Sequence, residues 1–193
     1  MHPADCTSRI NQLFIYRPLG AFDGLVKEGK VRHVAASNYT APRLREALAI
    51  SRRESLVEYV ALQPHYNLMH RQEYEGELQD LCVAEQVACL PYFSLAMGFL
   101  TGKYRPGVAV LSPRAGGASK YLDERGIRGL AALDDIAAAH RTAVSAVALA
   151  WLAAQPMVVA PIASARTVAQ LTELLPMLGL TPTGDELKRL SSL

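Results

Sequence analysis

Apolar and polar positions alternate along the chain in two different patterns. Short continuous apolar runs, typical of parallel strands covered on both faces, are separated by longer stretches whose apolar residues recur at helical spacing. The runs predict strands at 13–16, 31–36, 57–62, 87–91 and 158–162. The longer stretches predict helices near 42–53, 71–86, 130–140, 145–154 and 167–178, with a last helix beginning at Asp185. This order predicts an α/β fold of about five parallel strands joined by right-handed crossovers.

Small polar clusters follow four of the predicted strands. They are Ser37-Asn38, Gln63, Tyr92-Phe93-Ser94 and Ser164-Ala165-Arg166. Because the carboxyl ends of parallel strands meet at one edge, polar groups placed there are how α/β enzymes build a ligand site. The pattern therefore predicts a ligand-binding edge.

Length and composition narrow the classes of protein. With 193 residues, 50% of them hydrophobic, one domain over 1–193 is expected. The net charge of +2 and the scattered basic residues argue against nucleic acid as a partner. Three cysteines, an odd number, favour a reduced intracellular protein, and no histidine has a second ligand at metal-binding spacing. No signal peptide or membrane span is recognisable, so a soluble cytoplasmic protein is expected.

Two segments lack a regular pattern. Residues 1–11 are expected to be disordered. The stretch 94–128 is rich in glycine and proline, and a loop of this length in a compact domain is usually functional, such as a lid over a site.

Four segments, 29–39, 63–68, 91–104 and 161–170, together resemble the aldo-keto reductase family. They occur in the family's order, and the resemblance covers about 12–193, the second half of that family's (β/α)8 barrel from its fourth strand onward. The resemblance implies a partial TIM barrel that contains the family's strands 4 to 8. It also implies NADP(H) as cofactor and a small carbonyl or alcohol as substrate.

The resemblance assigns cofactor roles to particular residues. Ser37, Asn38 and Gln63 would hold the nicotinamide carboxamide, and Tyr92 would stack on its ring. The pyrophosphate would be lined by Phe93, Ser94, Leu95, Ala96 and Lys103, with Arg114 folded over it. Ser164 and Arg166 would contact the adenosine 2′-phosphate, and Gln170 and Glu173 would reach the ribose and adenine.

A physical argument independent of the family supports the last cluster. Backbone amides at the start of the helix predicted at 167–178 offer unpaired donors, and the planar guanidinium of Arg166 suits a phosphate. Each residue also has an ordinary structural explanation. Ser37 or Asn38 caps a helix, Gln63 sits in a turn, Tyr92 belongs to the core, or Arg166 is a solvated surface charge.

The catalytic part of the family's site has no counterpart in the sequence. The family's Asp, Tyr and Lys belong to the first half of the barrel, so no catalytic residue is predicted. The family's His would close the strand at 13–16, where Tyr16 stands. Either this is a substitution in a sequence no longer selected for catalysis, or Tyr16 acts in place of His. Because residues 19–27 are short for a parallel crossover, part of a helix is predicted to be deleted.

Three hypotheses for function follow. The chain is a truncated aldo-keto reductase that keeps NADP(H) affinity with little turnover, a non-enzymatic NADP(H)-binding or interaction module, or a non-functional gene fragment. Open strand edges at 13–16 and 158–162 favour self-association in each case.

Overall fold

Eight α-helices and three strands are present in the part of the chain that the structure, a computed structural model, describes. That part is residues 3–112 and 114–193, with side chains from Ile15 onward. The helices are α1 (Pro3–Lys27), α2 (Ala41–Glu54), α3 (Glu77–Glu85), α4 (Ala115–Ser119), α5 (Glu124–His140), α6 (Val144–Ala153), α7 (Val168–Leu174) and α8 (Gly184–Ser191). The strands are β1 (Val34–Ser37), β2 (Tyr59–Gln63) and β3 (Ala88–Cys89), and 3₁₀ helices cover Ala96–Thr101 and Leu175–Leu178.

The three strands form a parallel sheet in the order β1-β2-β3. The segment 157–162 runs parallel beside β3, where Cys89 N donates to Met157 O (2.7 Å) and Ile162 N donates to Pro91 O (2.9 Å). The strands predicted at 31–36, 57–62 and 87–91 are thus confirmed with shorter bounds. The strand predicted at 158–162 is reduced to a single bridge between Cys89 and Val158.

Helix caps explain why β1 and β2 begin late. Lys30 N and Val31 N both donate to Leu25 O, so the residues expected to open the first strand close α1 instead. In the same way, Leu56 N donates to Ser51 O at the end of α2. The apolar residues at these positions therefore cover helix ends.

The prediction of a strand at 13–16 is wrong, because these residues lie within α1. Ile15 and Leu19 are buried, Phe22 and Val26 pack partly buried against the core, and Tyr16 is exposed. This spacing of four, three and four residues is a helical stripe, which a run of only four apolar residues cannot reveal. Without that strand, the inferred deletion in 19–27 has no basis, since the segment is part of one continuous helix.

The other irregular segments are more ordered than expected. Helix α1 begins at Pro3, within the stretch 1–11 expected to be disordered, and residues 1–2 lie outside the described residues. The stretch 94–128 contains a 3₁₀ helix and α4, and Phe99 and Leu100 are buried. Arg105 ties it to α5 through two 2.7 Å hydrogen bonds to Asp134. Whether this stretch covers a cofactor stays a prediction.

The main core lies between the sheet and the helices. Trp151 on the almost wholly buried α6 packs near Tyr66, and its indole donates to Ser191 Oγ (3.1 Å). Arg71 donates to Ser191 O (2.6 Å) and lies over the Trp151 ring. Helix α8 is thereby fixed to the loop that follows β2.

Neither the membrane nor the self-association prediction is settled by the fold. Among the described helices, no single one has the length and apolar character to cross a bilayer. Helices α5 and α6 reach that length and composition only when counted together, and they are bent by 98° relative to each other. The edge expected at 13–16 does not exist. Self-association through the segment 157–162 stays a prediction.

Replacing Gly126 with alanine tests the packing of α5 against the segment that follows β3. A Cβ there would lie 1.7 Å from Tyr121 O and 2.9 Å from Phe99 Cζ. Because a backbone oxygen cannot move aside as a side chain does, we expect a loss of about 3 kcal/mol or more in the free energy of unfolding, measured with urea.

The matched control is Gly184→Ala, where a Cβ would meet nothing within 4 Å at the start of α8. This substitution should change the free energy of unfolding by about 1 kcal/mol or less. Equal destabilisation by the two substitutions would contradict the packing described.

Candidate functional site

The carboxyl ends of β1 and β2 are level with each other. Ser37 pairs with Gln63 in the parallel register, and Ser37 Oγ donates to Gln63 O (3.1 Å). The next backbone amide, Asn38 N, donates to the same carbonyl (3.2 Å). Two of the predicted polar clusters therefore meet at one point.

Asn38 links these ends to the residues after β3. Its φ of 56° is in the left-handed region, which asparagine tolerates better than most residues. Its Nδ2 donates to Ser37 Oγ (3.1 Å), and its Oδ1 accepts from Tyr92 OH (2.9 Å). The prediction that these polar residues gather at one edge is correct for Ser37, Asn38, Gln63 and Tyr92.

The structural explanations for these four residues do not hold. Thr40, not Ser37 or Asn38, occupies the N-cap of α2. Gln63 is the last residue of β2, and among the described residues its side chain has no hydrogen-bond partner. Tyr92 is only half-buried, so it is not a core residue.

The segment after Tyr92 turns sharply, with positive φ at Phe93 (53°) and Ala96 (48°). Ser94 and Ala96 are buried, and Ser94 Oγ donates to Pro91 O (3.0 Å). Ser94 and Ala96 therefore present almost no surface, backbone included. Phe93 is exposed and Leu95 is half-buried.

Two cations lie further along the same stretch. Lys103 is exposed, with its ammonium 5.1 Å from the centre of the Tyr104 ring. Arg114 is exposed at the N-cap of α4, where its backbone amide donates to Ser112 Oγ (3.3 Å). Among the described residues, no hydrogen bond joins either side chain to the network at the strand ends.

The residues after 157–162 form a second cluster. Ser164 and Arg166 are exposed. Arg166 N donates to Gln170 Oε1 (2.9 Å), and Gln170 N donates to Thr167 Oγ1 (3.2 Å). Arg166 N, before α7, and Gln170 N, in its first turn, are therefore satisfied within the chain and are not among the unpaired donors expected there. Glu173 is exposed, and its backbone carbonyl accepts from Ser145 Oγ (3.4 Å).

Tyr16 does not lie at a strand end. It is on α1, with 42% of its surface exposed. Both interpretations of Tyr16 at the position of the family's His required a strand there, so neither has support from the fold.

Asn67 is a site residue that the sequence analysis missed. It is fully buried, and its Nδ2 donates to Phe93 O (2.9 Å). Its Oδ1 accepts from Met69 N (2.9 Å) and His70 N (3.0 Å). A buried amide with all these partners fixes the loop after β2 to the turn after β3. The available signal was the run of polar and aromatic residues that follows Gln63.

The described cysteines have no nucleophilic character. Cys82 and Cys89 are free and buried. Burial raises the pKa of the Cys82 thiol to about 11 and that of the Cys89 thiol to about 12, so both are protonated near neutral pH. Within the described ranges, no group of three or more His, Cys, Asp or Glu residues is placed to hold a metal ion.

The fold defines a class of protein: an α/β protein with polar side chains gathered at the carboxyl ends of its parallel strands. A family model described as the aldo/keto reductase family matches residues 1–193. The chain belongs to this family.

Individual relatives are similar over much of this chain. Protein tas of Escherichia coli K12 is 30% identical over 169 residues, which are 86% of this chain and 49% of that protein. L-glyceraldehyde 3-phosphate reductase of the same organism is 29% identical over 77% of this chain and 44% of its own length. A probable voltage-gated potassium channel subunit beta of Oryza sativa subsp. japonica is 26% identical over 94% of this chain and 56% of that protein.

A solved structure has a similar fold. The thermostable aldo-keto reductase Tm1743, in complex with the inhibitor epalrestat, is 26% identical with a TM-score of 0.68. The match covers 90% of this chain and 53% of that chain. The chain thus spans about half the length of the relatives and the solved structure that it matches.

Replacing Asn67 with alanine tests the link between the two loops. The substitution leaves the buried Met69 N without its partner and removes one of two hydrogen bonds from each of Phe93 O and His70 N. We expect the free energy of unfolding to fall by about 2 kcal/mol or more, measured by urea denaturation.

Asn38→Gly serves as the control, because glycine keeps the left-handed backbone and removes only an exposed amide. This variant should lose about 1 kcal/mol or less. A loss from Asn67→Ala no larger than that from the control would show that the buried amide does not hold the loops.

Proposed function

We propose that the chain binds NADP(H) along the carboxyl edge of its sheet and serves the interconversion of a small carbonyl compound and an alcohol by hydride transfer. The observation that carries the proposal is the hydrogen-bonded network of Ser37, Asn38 and Tyr92 with the Gln63 carbonyl, built from three successive strand ends. Membership of an oxidoreductase family supports it. When bound, NADP(H) supplies or accepts the hydride.

The network has hydrogen-bonding capacity that suits a carboxamide. Asn38 Nδ2 uses one of its two hydrogens on Ser37, and the Gln63 amide has no partner among the described residues. A nicotinamide carboxamide offers one acceptor and two donors, which these groups can complement. The half-buried Tyr92 ring beside them is an aromatic platform for the nicotinamide ring.

Cations further along the edge suit the phosphates. In this proposal Arg166, with Ser164, holds the adenosine 2′-phosphate, and its guanidinium carries this contact because the backbone amides of Arg166 and Gln170 are already bonded. Lys103 and Arg114 serve the pyrophosphate together with Phe93 and Leu95, the two residues of 93–96 that have exposed surface. Gln170 keeps its Nε2 hydrogens for the ribose, and Glu173 is exposed for the adenine end.

The sheet and its neighbour 157–162 are proposed to be part of a (β/α)8 barrel, strands 5 to 8 in the family's order. Their carboxyl ends then form half of the circular edge on which such barrels bind their ligands. The TM-score of 0.68 against about half of a solved aldo-keto reductase supports this placement.

A second candidate function is NADP(H) binding without turnover. Tyrosine acts as a proton donor near neutral pH only when neighbouring groups lower its pKa. Tyr92, the phenol in the network, donates a hydrogen bond to Asn38 Oδ1, and no cation contacts it among the described residues. In this second candidate, Tyr92 serves cofactor binding and not proton donation.

Titration of the chain with NADPH, followed by the fluorescence of the reduced nicotinamide, tests cofactor binding. Arg166→Ala should weaken affinity by about tenfold or more, since a charged hydrogen bond to phosphate contributes about 1.5 to 3 kcal/mol. The matched control is Arg53→Ala, an exposed arginine in the last turn of α2, at the opposite edge of the sheet. Equal affinity of all three forms would disprove the role of Arg166, and no binding by any form would disprove the proposed function.

Turnover is measured separately. The chain is mixed with NADPH and a panel of small aldehydes and ketones, and the disappearance of reduced nicotinamide is followed against a reaction without protein. Binding without turnover is the result expected if the described residues supply only the cofactor half of the site. Turnover at the rate of a complete enzyme would contradict the second candidate.

A further inference from the structure

Tyr92 is backed by a column of aromatic rings that the proposed function does not use. The imidazoles of His65 and His70 stack with centroids 3.8 Å apart and planes inclined by 10°. The Tyr92 ring continues the column, 5.4 Å from His65 and inclined by 23°. Phe93 meets the Tyr92 ring in an edge contact (5.1 Å, planes inclined by 62°), and in the proposed function the nicotinamide lies on the face of Tyr92 opposite His65.

Backbone hydrogen bonds hold this column in place. Tyr92 N donates to Pro64 O (3.0 Å), and a parallel bridge joins His65 to Tyr92. The buried Asn67 closes the loop, because Asn67 N donates to His70 O (3.1 Å) and His70 N donates to Asn67 O (3.0 Å). His65 and Tyr92 therefore cannot shift independently without breaking these bonds.

We infer that His65 is a positioning residue for Tyr92, and that protonation of the stacked pair His65–His70 loosens the wall behind Tyr92 and weakens NADP(H) binding. Two imidazolium rings at 3.8 Å repel each other, whereas neutral or singly protonated rings stack without that penalty. This inference rests on the proposed function for its ligand, while the stack itself does not depend on it.

The charged groups around the pair set the direction of the effect. Burial, the neighbouring His70 and the charge of Lys120 lower the pKa of His65, while Glu73 acts to raise it. The Glu73 carboxylate lies 3.2 Å from His70 Nε2, which is within range of an ion pair although not in hydrogen-bond geometry. Protonation of His65 therefore brings a positive charge into a partly buried place beside a second imidazole and Lys120.

Because burial lowers the pKa of His65 from its ordinary value, the neutral form of His65 is favoured near neutral pH. Acidification then adds charge to the stacked pair and disrupts the column. Cofactor affinity should fall over the same range.

The first experiment uses the chain without cofactor. Imidazole and tyrosine ring resonances are followed by NMR between about pH 8 and about pH 5. We expect His65 to titrate below its ordinary value and the Tyr92 resonances to move with it. If His65 titrates normally, or if Tyr92 does not respond, the inference is overturned whether or not the chain binds NADPH.

The second experiment measures NADPH affinity over the same pH range for the wild type, His65→Phe and His65→Ala. Phenylalanine keeps a flat ring without a titrating proton, so His65→Phe should bind within about twofold of wild type at pH 8 and lose less affinity on acidification. His65→Ala removes the ring and should weaken binding about two- to tenfold at every pH.

Because the 2′-phosphate of NADPH itself titrates near pH 6, only the difference between wild type and His65→Phe at each pH is interpreted. His33→Phe is the matched control, since His33 is exposed and precedes β1 at the other end of the strand. It should keep the wild-type pH profile. Superimposable profiles for wild type and His65→Phe would overturn the inference, and failure of every form to bind NADPH would overturn the proposed function instead.

Discussion

The level register of the parallel strands is the constraint on which the site depends. Ser37 and Gln63 end their strands side by side, so a single carbonyl, Gln63 O, accepts from both Ser37 Oγ and Asn38 N. One step further across the sheet, Tyr92 N bonds to Pro64 O. A shift of one residue in either pairing would turn these side chains to the opposite face of the sheet and separate the polar groups. The backbone register therefore determines which polar side chains lie next to each other.

Strand and helix positions could be predicted where a pattern is long or is bounded by turns. The runs that contain β1, β2 and β3 are apolar and are followed by polar residues. Strands β1 and β2 end on the first of these, Ser37 and Gln63, whereas β3 ends at Cys89, two residues before its run does. The run at 13–16 has the same local composition but belongs to α1. Its true period appears only when Ile15 is taken with Leu19, Phe22 and Val26. Four residues carry too little periodicity to distinguish a strand from one turn of a buried helix face.

The site itself could be predicted at the level of residue type and order along the chain. The bonds that join Asn38 to Tyr92 required knowledge of which strands are neighbours, and a residue separation of 54 gives no sign of it. The roles of Asn67 and His65 were less accessible still, because they depend on how the loop after β2 folds back. For Ser94 the residue type was misleading, because this polar residue after a strand has its hydroxyl bonded to Pro91 O inside the protein.

In the proposed function, the arrangement separates cofactor binding from chemistry within one fold. Among the described residues, the bonds of the network run between neighbouring strands β1, β2 and the residues after β3, and the column behind Tyr92 comes from the loop after β2. The proton donor of a carbonyl reduction must face the substrate from another part of the edge, so its presence or absence leaves the network unchanged. Cofactor affinity and turnover are therefore independent properties of such a site, and a chain can keep the first without the second.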